Sequence, residues 1–120
     1  MSAQAEHGGV AYKIIAADEW TGIVEAGAYG GSAVDLADGY IHLSTEGQFA
    51  ETAGKHYSGR EGLMSLTVDL ATLGDTVVWE PSRGGQLFPH IYGLLPVAAV
   101  TARRLFSVDA NGVIHDEAGA

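Results

Sequence analysis

Residues 63–70 alternate between apolar and polar side chains, and no other feature of the sequence constrains the fold as strongly. From Met64 to Leu70 the even-numbered residues are apolar, and from Ser65 to Asp69 the odd-numbered residues are polar. Side chains of a β-strand point alternately to its two faces, so this segment is predicted to be a strand with one buried side. Such a strand needs neighbouring strands and a core, which makes a β-sheet the predicted centre of the fold.

Two helices are predicted in the first half of the chain. Asp18 is a candidate N-cap, apolar residues at positions 20, 23 and 24 share one helical face, and Gly27 is placed to end the helix. Thr45 and Gln48 form a capping-box pattern for a second helix, which is predicted to end at Ser58–Gly59.

Further strands concentrate in the second half of the chain, and Asn111–Gly112 between apolar residues predicts a closing β-hairpin. Early helices and late strands argue against a doubly wound parallel sheet. The prediction is one α+β domain of mostly antiparallel strands with two early helices, spanning residues 11–120 after a disordered tail at residues 1–10. Besides the strand at residues 63–70, strands are predicted at residues 12–15, 40–44, 77–80, 87–92 and 97–106. Residues 27–39 are rich in turn formers and are interpreted as a connection.

The composition excludes several classes of function. The chain has no cysteine, which removes disulfides, thiolate zinc sites, iron–sulfur clusters and cysteine nucleophiles. A formal net charge of -9 disfavours duplex nucleic acid as a partner. No apolar run approaches the roughly 18 residues of a membrane-spanning helix, and the N-terminus lacks the pattern of a secretory signal. We therefore expect a cytoplasmic protein with no membrane partner.

The first cluster of chemistry-bearing residues is the run YIHLST, residues 40–45. Strand alternation puts its two aliphatic residues on the core side and Tyr40, His42 and Ser44 on the other side. Thr45 then starts a helix, whose free N–H groups and dipole favour an anion such as phosphate or carboxylate. The alternative is that Thr45 only caps the helix and His42 is a half-exposed strand residue.

The second cluster lies in residues 79–93, where Glu80, Arg83, His90 and Tyr92 occur in a stretch interrupted by two prolines. Loops held in this way often present site residues from a rigid frame. Glu80 follows three apolar residues, so its carboxylate is a candidate general base or stabiliser of a cationic transition state. The alternatives are an ion pair of Glu80 with Arg83 that fixes the turn, and a packed pair of His90 and Tyr92 whose polar tips find backbone partners.

Several standard motifs are absent from the sequence. No H-x-H or H-E-x-x-H spacing supports a metal site, so none is predicted. Ser44 lies outside any G-x-S-x-G elbow, which argues against a serine hydrolase. Neither the Rossmann nor the P-loop glycine pattern occurs.

Together, the two clusters resemble a small, mostly bacterial family, the domain of unknown function nine-five-two. The resemblance covers residues 11–106. It implies a fold similar to a minimal ADP-ribosyltransferase, with a cleft where those enzymes bind NAD. The residues that carry it are Tyr12–Ile14, Trp20, Asp38–Thr45, Glu80, Phe88–Gly93 and Leu95–Pro96.

The first motif is similar to the ADP-ribosyltransferase segment in which an aromatic side chain contacts the nicotinamide, and to a histidine-containing segment of RNA 2′-phosphotransferases. This implies that Tyr40 or His42 lines the cleft, with Tyr57 at the far end of the following helix. The second motif is similar to the segment that carries the catalytic glutamate, and His90 stands about where that glutamate belongs. Lys13 stands where a ribose-binding histidine or arginine is expected.

The resemblance thus implies a cleft that binds an NAD-like or phosphorylated nucleotide, with ribosyl or phosphoryl transfer as the reaction. No cofactor is required, and NAD or an ADP-ribose-like molecule is the expected ligand and partner. The alternative is a non-catalytic module that binds a small ligand or a protein segment. The predicted catalytic residues are Glu80, His90 and His42, and the predicted ligand-binding residues are Tyr40, Ser44, Thr45, Tyr57, Arg83 and Tyr92.

Overall fold

The strand predicted from the alternation lies inside a four-stranded antiparallel sheet. The computed structural model describes residues 9–117, except for the side chain of Arg83, so the predicted tail falls largely outside the described residues. The predicted strand is extended to Arg60–Asp69 (β4). Its sheet has the order β1-β4-β8-β9, with β1 at Val10–Ala16, β8 at Val100–Val108 and β9 at Ile114–Asp116. The hairpin predicted at Asn111–Gly112 joins β8 to β9.

A second, three-stranded sheet carries both predicted clusters. Its order is β3-β6-β5, with β3 at Ile41–His42, β5 at Val77–Pro81 and β6 at Leu87–Ile91. A two-residue pair, β2 at Ala28–Tyr29 and β7 at Leu95–Pro96, completes the strands of the described chain. Every pairing between the described strands is antiparallel. The α+β class with mostly antiparallel strands is therefore confirmed.

Between residue 9 and β4 there are three α-helices: α1 at Trp20–Ala26, α2 at Ala33–Asp38 and α3 at Glu46–Tyr57. The C-terminal end of α1 is confirmed, since Gly27 follows it with a φ of 83° that favours glycine. The capping box of α3 is also confirmed, because the Thr45 N–H donates to the Gln48 side chain at 3.0 Å. Short 3₁₀ turns occupy Ala17–Glu19, Leu70–Thr76, Arg83–Gly85 and Val97–Ala99.

Helix α2 contradicts the prediction of two early helices, because residues 27–39 were interpreted as a connection. Ser32 caps α2: its hydroxyl accepts the Asp35 N–H, and the Asp35 carboxylate accepts the Ser32 N–H. The predicted N-cap Asp18 is also wrong, since it lies inside a 3₁₀ turn that runs into α1. Here the Glu19 carboxylate accepts the Ala16 N–H.

The core lies on both faces of the four-stranded sheet, so β4 does not have the single buried side that its alternation predicted. On one face, α3 packs Phe49 and Ala53 against Leu63 and Phe106. On the other face, Met64, Leu66 and Val68 of β4 pack against the three-stranded sheet, α1 and the β2–β7 pair. The two sheets meet where Tyr12 of β1 exchanges backbone hydrogen bonds of 2.8 and 2.9 Å with Ser44. No helix within residues 9–117 is long and apolar enough to cross a membrane.

Candidate active site

The two predicted clusters meet because β3 and β6 are neighbouring strands. Their register pairs His42 with His90, and residues paired across antiparallel strands project to the same side. The two imidazole centroids lie 5.4 Å apart with an edge-on geometry. The adjacent pair, Ile41 and Ile91, projects into the core instead. This register, which joins residues 48 positions apart, creates the site.

Glu80 contacts His90 directly. Their strands are adjacent, and Oε1 of Glu80 lies 2.7 Å from Nδ1 of His90. The Tyr92 hydroxyl donates to both carboxylate oxygens, at 2.8 and 3.0 Å. These two side-chain hydrogen bonds, from His90 and Tyr92, hold the pKa of Glu80 below its usual value, and the bond to Glu80 raises the pKa of Tyr92. The polar tips of His90 and Tyr92 thus meet a carboxylate, not the backbone partners of the alternative interpretation.

Tyr40 covers the ring of His90. The two rings are stacked with centroids 4.1 Å apart and an interplanar angle of 20°. Tyr40 also contacts the rings of His42, at 4.8 Å, and Tyr92, at 5.2 Å. Tyr40 therefore fixes the plane of the His90 imidazole while Glu80 fixes its rotation.

Nε2 of His90 has no hydrogen-bond partner among the described residues. Solvent does not supply one either, because His90 is only 2% exposed. An ionised carboxylate can only accept hydrogen bonds, so Nδ1 of His90 is the donor to Glu80. In the neutral imidazole, Nε2 then carries an unused lone pair. Buried polar atoms are rarely left unpaired, which makes this nitrogen the first candidate for contact with a ligand.

A buried ion network that the sequence analysis missed lies beside His42. Asp35 of α2 is 2% exposed and Lys13 of β1 is 6% exposed, and their charged groups are 2.7 Å apart. Burial favours a raised pKa for Asp35, but the Lys13 charge and hydrogen bonds from Lys13, His42 and Ser32 outweigh it and lower the pKa to about 2. Burial lowers the pKa of Lys13, and Asp35 opposes this change.

His42 joins this network to the end of α2. Its Nδ1 lies 2.6 Å from Oδ1 of Asp35, and its Nε2 lies 2.9 Å from Oδ2 of Asp38. The imidazole donates to both carboxylates only as the imidazolium, which has two N–H groups. His42 therefore lies between two carboxylates, in contrast to His90, which has a carboxylate on one nitrogen only.

A cavity of about 740 Å³ opens beside both histidines. Four of the predicted site residues that the structure describes line this cavity: His42, Ser44, Tyr57 and His90. The cavity is also lined by residues that the prediction did not assign to the site, among them Lys13, Asp35, Thr52 and Arg60. Its size is typical of small-molecule sites, which span about 300–1,000 Å³.

The other predicted site residues whose side chains the structure describes lie elsewhere. Tyr40, Glu80 and Tyr92 gather around His90 and are not among the residues that line the cavity. The Thr45 backbone caps α3. The side chain of Arg83 lies outside the described residues, so its predicted role in ligand binding stays a prediction and the alternative, an ion pair with Glu80, stays a hypothesis. Within residues 9–117, no group of three or more histidine, aspartate or glutamate side chains is arranged to hold a metal ion.

Ser44 and Asp35 show which sequence signals identify cavity residues. The Ser44 hydroxyl lies 2.9 Å from that of Thr52, one hydroxyl coming from the end of the first motif and the other from α3. Asp35 stands three residues after Ser32, a capping pattern that predicts a helix start when weighed on its own. No local pattern points to Arg60, which reaches the cavity from the first position of β4.

Comparison with solved structures gives relatives of known fold. The crystal structure of protein CC0527 from Caulobacter crescentus is 45% identical, covers 88% of this chain and 93% of that chain, and gives a TM-score of 0.83. The solution NMR structure of CC0527 is 46% identical, covers 87% of this chain and 90% of that chain, and gives a TM-score of 0.76. A family model described as "Protein of unknown function (DUF952)" matches residues 14–103. No curated protein matches the chain.

Proposed function

The chain belongs to the DUF952 family, which its motifs had indicated, and from that premise we propose that the cavity beside His42 and His90 binds an NAD-like or other phosphorylated nucleotide. One observation carries the proposal: His90, which has a buried, unpartnered nitrogen, lines a cavity large enough for a nucleotide. An ADP-ribosyltransferase-like arrangement of the strands is part of the same proposal, and the placement of Lys13, His42 and His90 around one cavity supports it.

The charges around the cavity support a phosphorylated ligand. Arg60 and the Lys13–Asp35 pair line it, although the chain has only 6 lysine and arginine residues against 15 acidic ones. Hydroxyl groups of Ser44, Thr52 and Tyr57 also line it and suit the hydroxyls and phosphate oxygens of a nucleotide. With a small molecule as the partner, we expect a cytoplasmic protein that engages neither duplex nucleic acid nor a membrane.

In the transfer reaction that we propose, His90 is the general base. The bond between ribose C1′ and the nicotinamide nitrogen breaks, and its electron pair leaves with nicotinamide. The acceptor hydroxyl forms the new bond to C1′, and its proton passes to Nε2 of His90 and then to water. Glu80 is the positioning residue, since it holds the imidazole by Nδ1 and stabilises the imidazolium that forms.

A second candidate, a non-catalytic binding module, has an observation in its favour. Cleavage of the nicotinamide bond builds positive charge on the ribose, which a carboxylate at that place stabilises. Asp35 is the carboxylate among the described residues that line the cavity, and its oxygens already bind Lys13, His42 and the Ser32 N–H. Glu80 contacts Nδ1 of His90 and is not among the residues that line the cavity. A ligand that binds without reacting fits this arrangement.

Thermal unfolding with NAD, ADP-ribose and AMP tests the binding proposal. A ligand at 100 times its dissociation constant adds about 2.7 kcal/mol to stability. We expect a rise in Tm with at least one of the three compounds, and no rise with any of them contradicts the proposal.

Nicotinamide release from NAD then separates the enzyme from the binder. We expect release by the wild type and by His115→Gln, an exposed histidine away from the cavity, and loss of release by His90→Gln. Because His90 is buried, circular dichroism must show that its variant is folded. Glu80→Gln, at a more exposed position, gives a second variant that is expected to slow release. Ligand binding without release by the wild type favours the non-catalytic module.

A further inference from the structure

Arg60 is a cation of the cavity that stands apart from the buried ion network. It is the first residue of β4, it is exposed, and its guanidinium carbon lies 5.1 Å from the centroid of the Tyr57 ring. Lys13, by contrast, is neutralised by Asp35. Across the part of the chain that the structure describes, no carboxylate forms an ion pair with Arg60.

The positive charge of Arg60 is thus not offset by an ion pair with a described carboxylate. A guanidinium presents N–H donors in a planar fork that matches two phosphate oxygens. Tyr57 adds a hydroxyl in the same wall of the cavity, and burial raises its pKa, so this hydroxyl stays protonated as a donor. This wall, made by the end of α3 and the start of β4, therefore offers donors and positive charge.

The wall made by β3 and β6 has the opposite requirement. Nε2 of His90 is an acceptor in the neutral imidazole, so it needs a hydrogen-bond donor. An ionised phosphate presents acceptors only, whereas a sugar hydroxyl can donate. The two walls thus distinguish the two parts of a nucleotide.

We propose that, before an acceptor enters, the bound ligand lies with its phosphate on Arg60 and Tyr57 and a sugar hydroxyl on Nε2 of His90. The inference rests on the proposed function and adds the orientation of the ligand and the residue that selects its phosphate. Lys13 takes no direct part in this selection, because Asp35 holds its ammonium group.

The test uses two pairs of compounds that differ by one phosphate: nicotinamide mononucleotide with nicotinamide riboside, and AMP with adenosine. Calorimetry measures the dissociation constants for the wild type, for Arg60→Gln and for Arg103→Gln. Arg103 is the matched control, since its guanidinium also lies over an aromatic ring, that of Trp20 at 5.0 Å, and it does not line this cavity.

Arg60→Gln is expected to weaken the phosphorylated member of the binding pair about tenfold, the scale of one charged hydrogen bond near solvent. Binding of its unphosphorylated partner should change less than about twofold, and Arg103→Gln should change neither. Equal weakening of both members, or no weakening, overturns the inference while the proposed function stands. If no member of either pair binds the wild type, the inference fails, and the proposed function fails with it only if NAD and ADP-ribose do not bind either.

Discussion

Replacing Asp35 with asparagine removes the carboxylate on which the buried network depends. The charged groups of Asp35 and Lys13 lie 2.7 Å apart, both nearly fully buried. Removing one partner of such a pair leaves the other charge buried without compensation, which costs about 3–5 kcal/mol. For a domain of this size, about 4 °C of Tm per kcal/mol predicts a fall of about 12–20 °C.

Urea unfolding, followed by circular dichroism, measures this cost against two controls. Asp38→Asn removes an exposed carboxylate from the same histidine and is expected to cost less than about 1 kcal/mol. The double variant Lys13→Met with Asp35→Asn removes both charges, so it should be more stable than Asp35→Asn alone. A cost below about 1 kcal/mol for Asp35→Asn contradicts this prediction. So does a double variant whose cost equals the sum of the costs of Asp35→Asn and Lys13→Met measured alone.

The same carboxylate makes stability depend on pH. The pKa of Asp35 is about 2 in the folded protein against an ordinary 3.8. A lowered pKa stabilises the folded state above the unfolded value, and the contribution is lost as the pH falls from about 4 to about 2. The shift corresponds to about 2 kcal/mol. This is less than the cost of the substitution, because protonation at low pH does not remove the side chain or its remaining hydrogen bonds.

Three further outcomes follow from other contacts. Tyr92→Phe removes a hydrogen bond to Glu80, so the pKa of Glu80 should rise towards its ordinary value in an NMR titration; an unchanged pKa contradicts the contact. Ser32→Ala removes the cap of α2 and should cost about 1 kcal/mol in urea unfolding, whereas no cost would mean that tertiary contacts alone hold the helix. Leu63→Ala opens a cavity between β4 and α3 and should cost about 2–5 kcal/mol, whereas a cost below about 1 kcal/mol would place Leu63 outside the core.

Elements with strong local signals were predictable from the sequence. The alternation at residues 63–70 identified β4, the Thr45–Gln48 capping box identified α3, and Asn111–Gly112 identified the last hairpin. Each signal resides in a few consecutive residues. The second buried face of β4 was missed because alternation reports one apolar face and does not show what a helix such as α3 covers on the other.

Helix α2 and its ion network were not predicted. The helix has six residues, too few for a clear periodic pattern, and its glycine-rich flanks favour turns. Its Asp35 is held by Lys13, which lies on β1, and by His42, which follows the helix. Such tertiary contacts leave no trace in local sequence. The contact of Glu80 with His90 likewise depends on the register between β5 and β6. The short distance between the two residues in the sequence suggested a contact, but it does not set that register.

The state of His90 tests the account most directly. In ¹⁵N NMR of the imidazole groups during titration with ADP-ribose, the free protein should show a protonated Nδ1 and an unprotonated Nε2, and the Nε2 resonance should move as ligand is added. The claim is that Nε2 of His90 accepts a hydrogen bond from a ligand in the cavity. A proton on Nε2 in the free protein, or an Nε2 chemical shift that saturating ligand does not change, contradicts it.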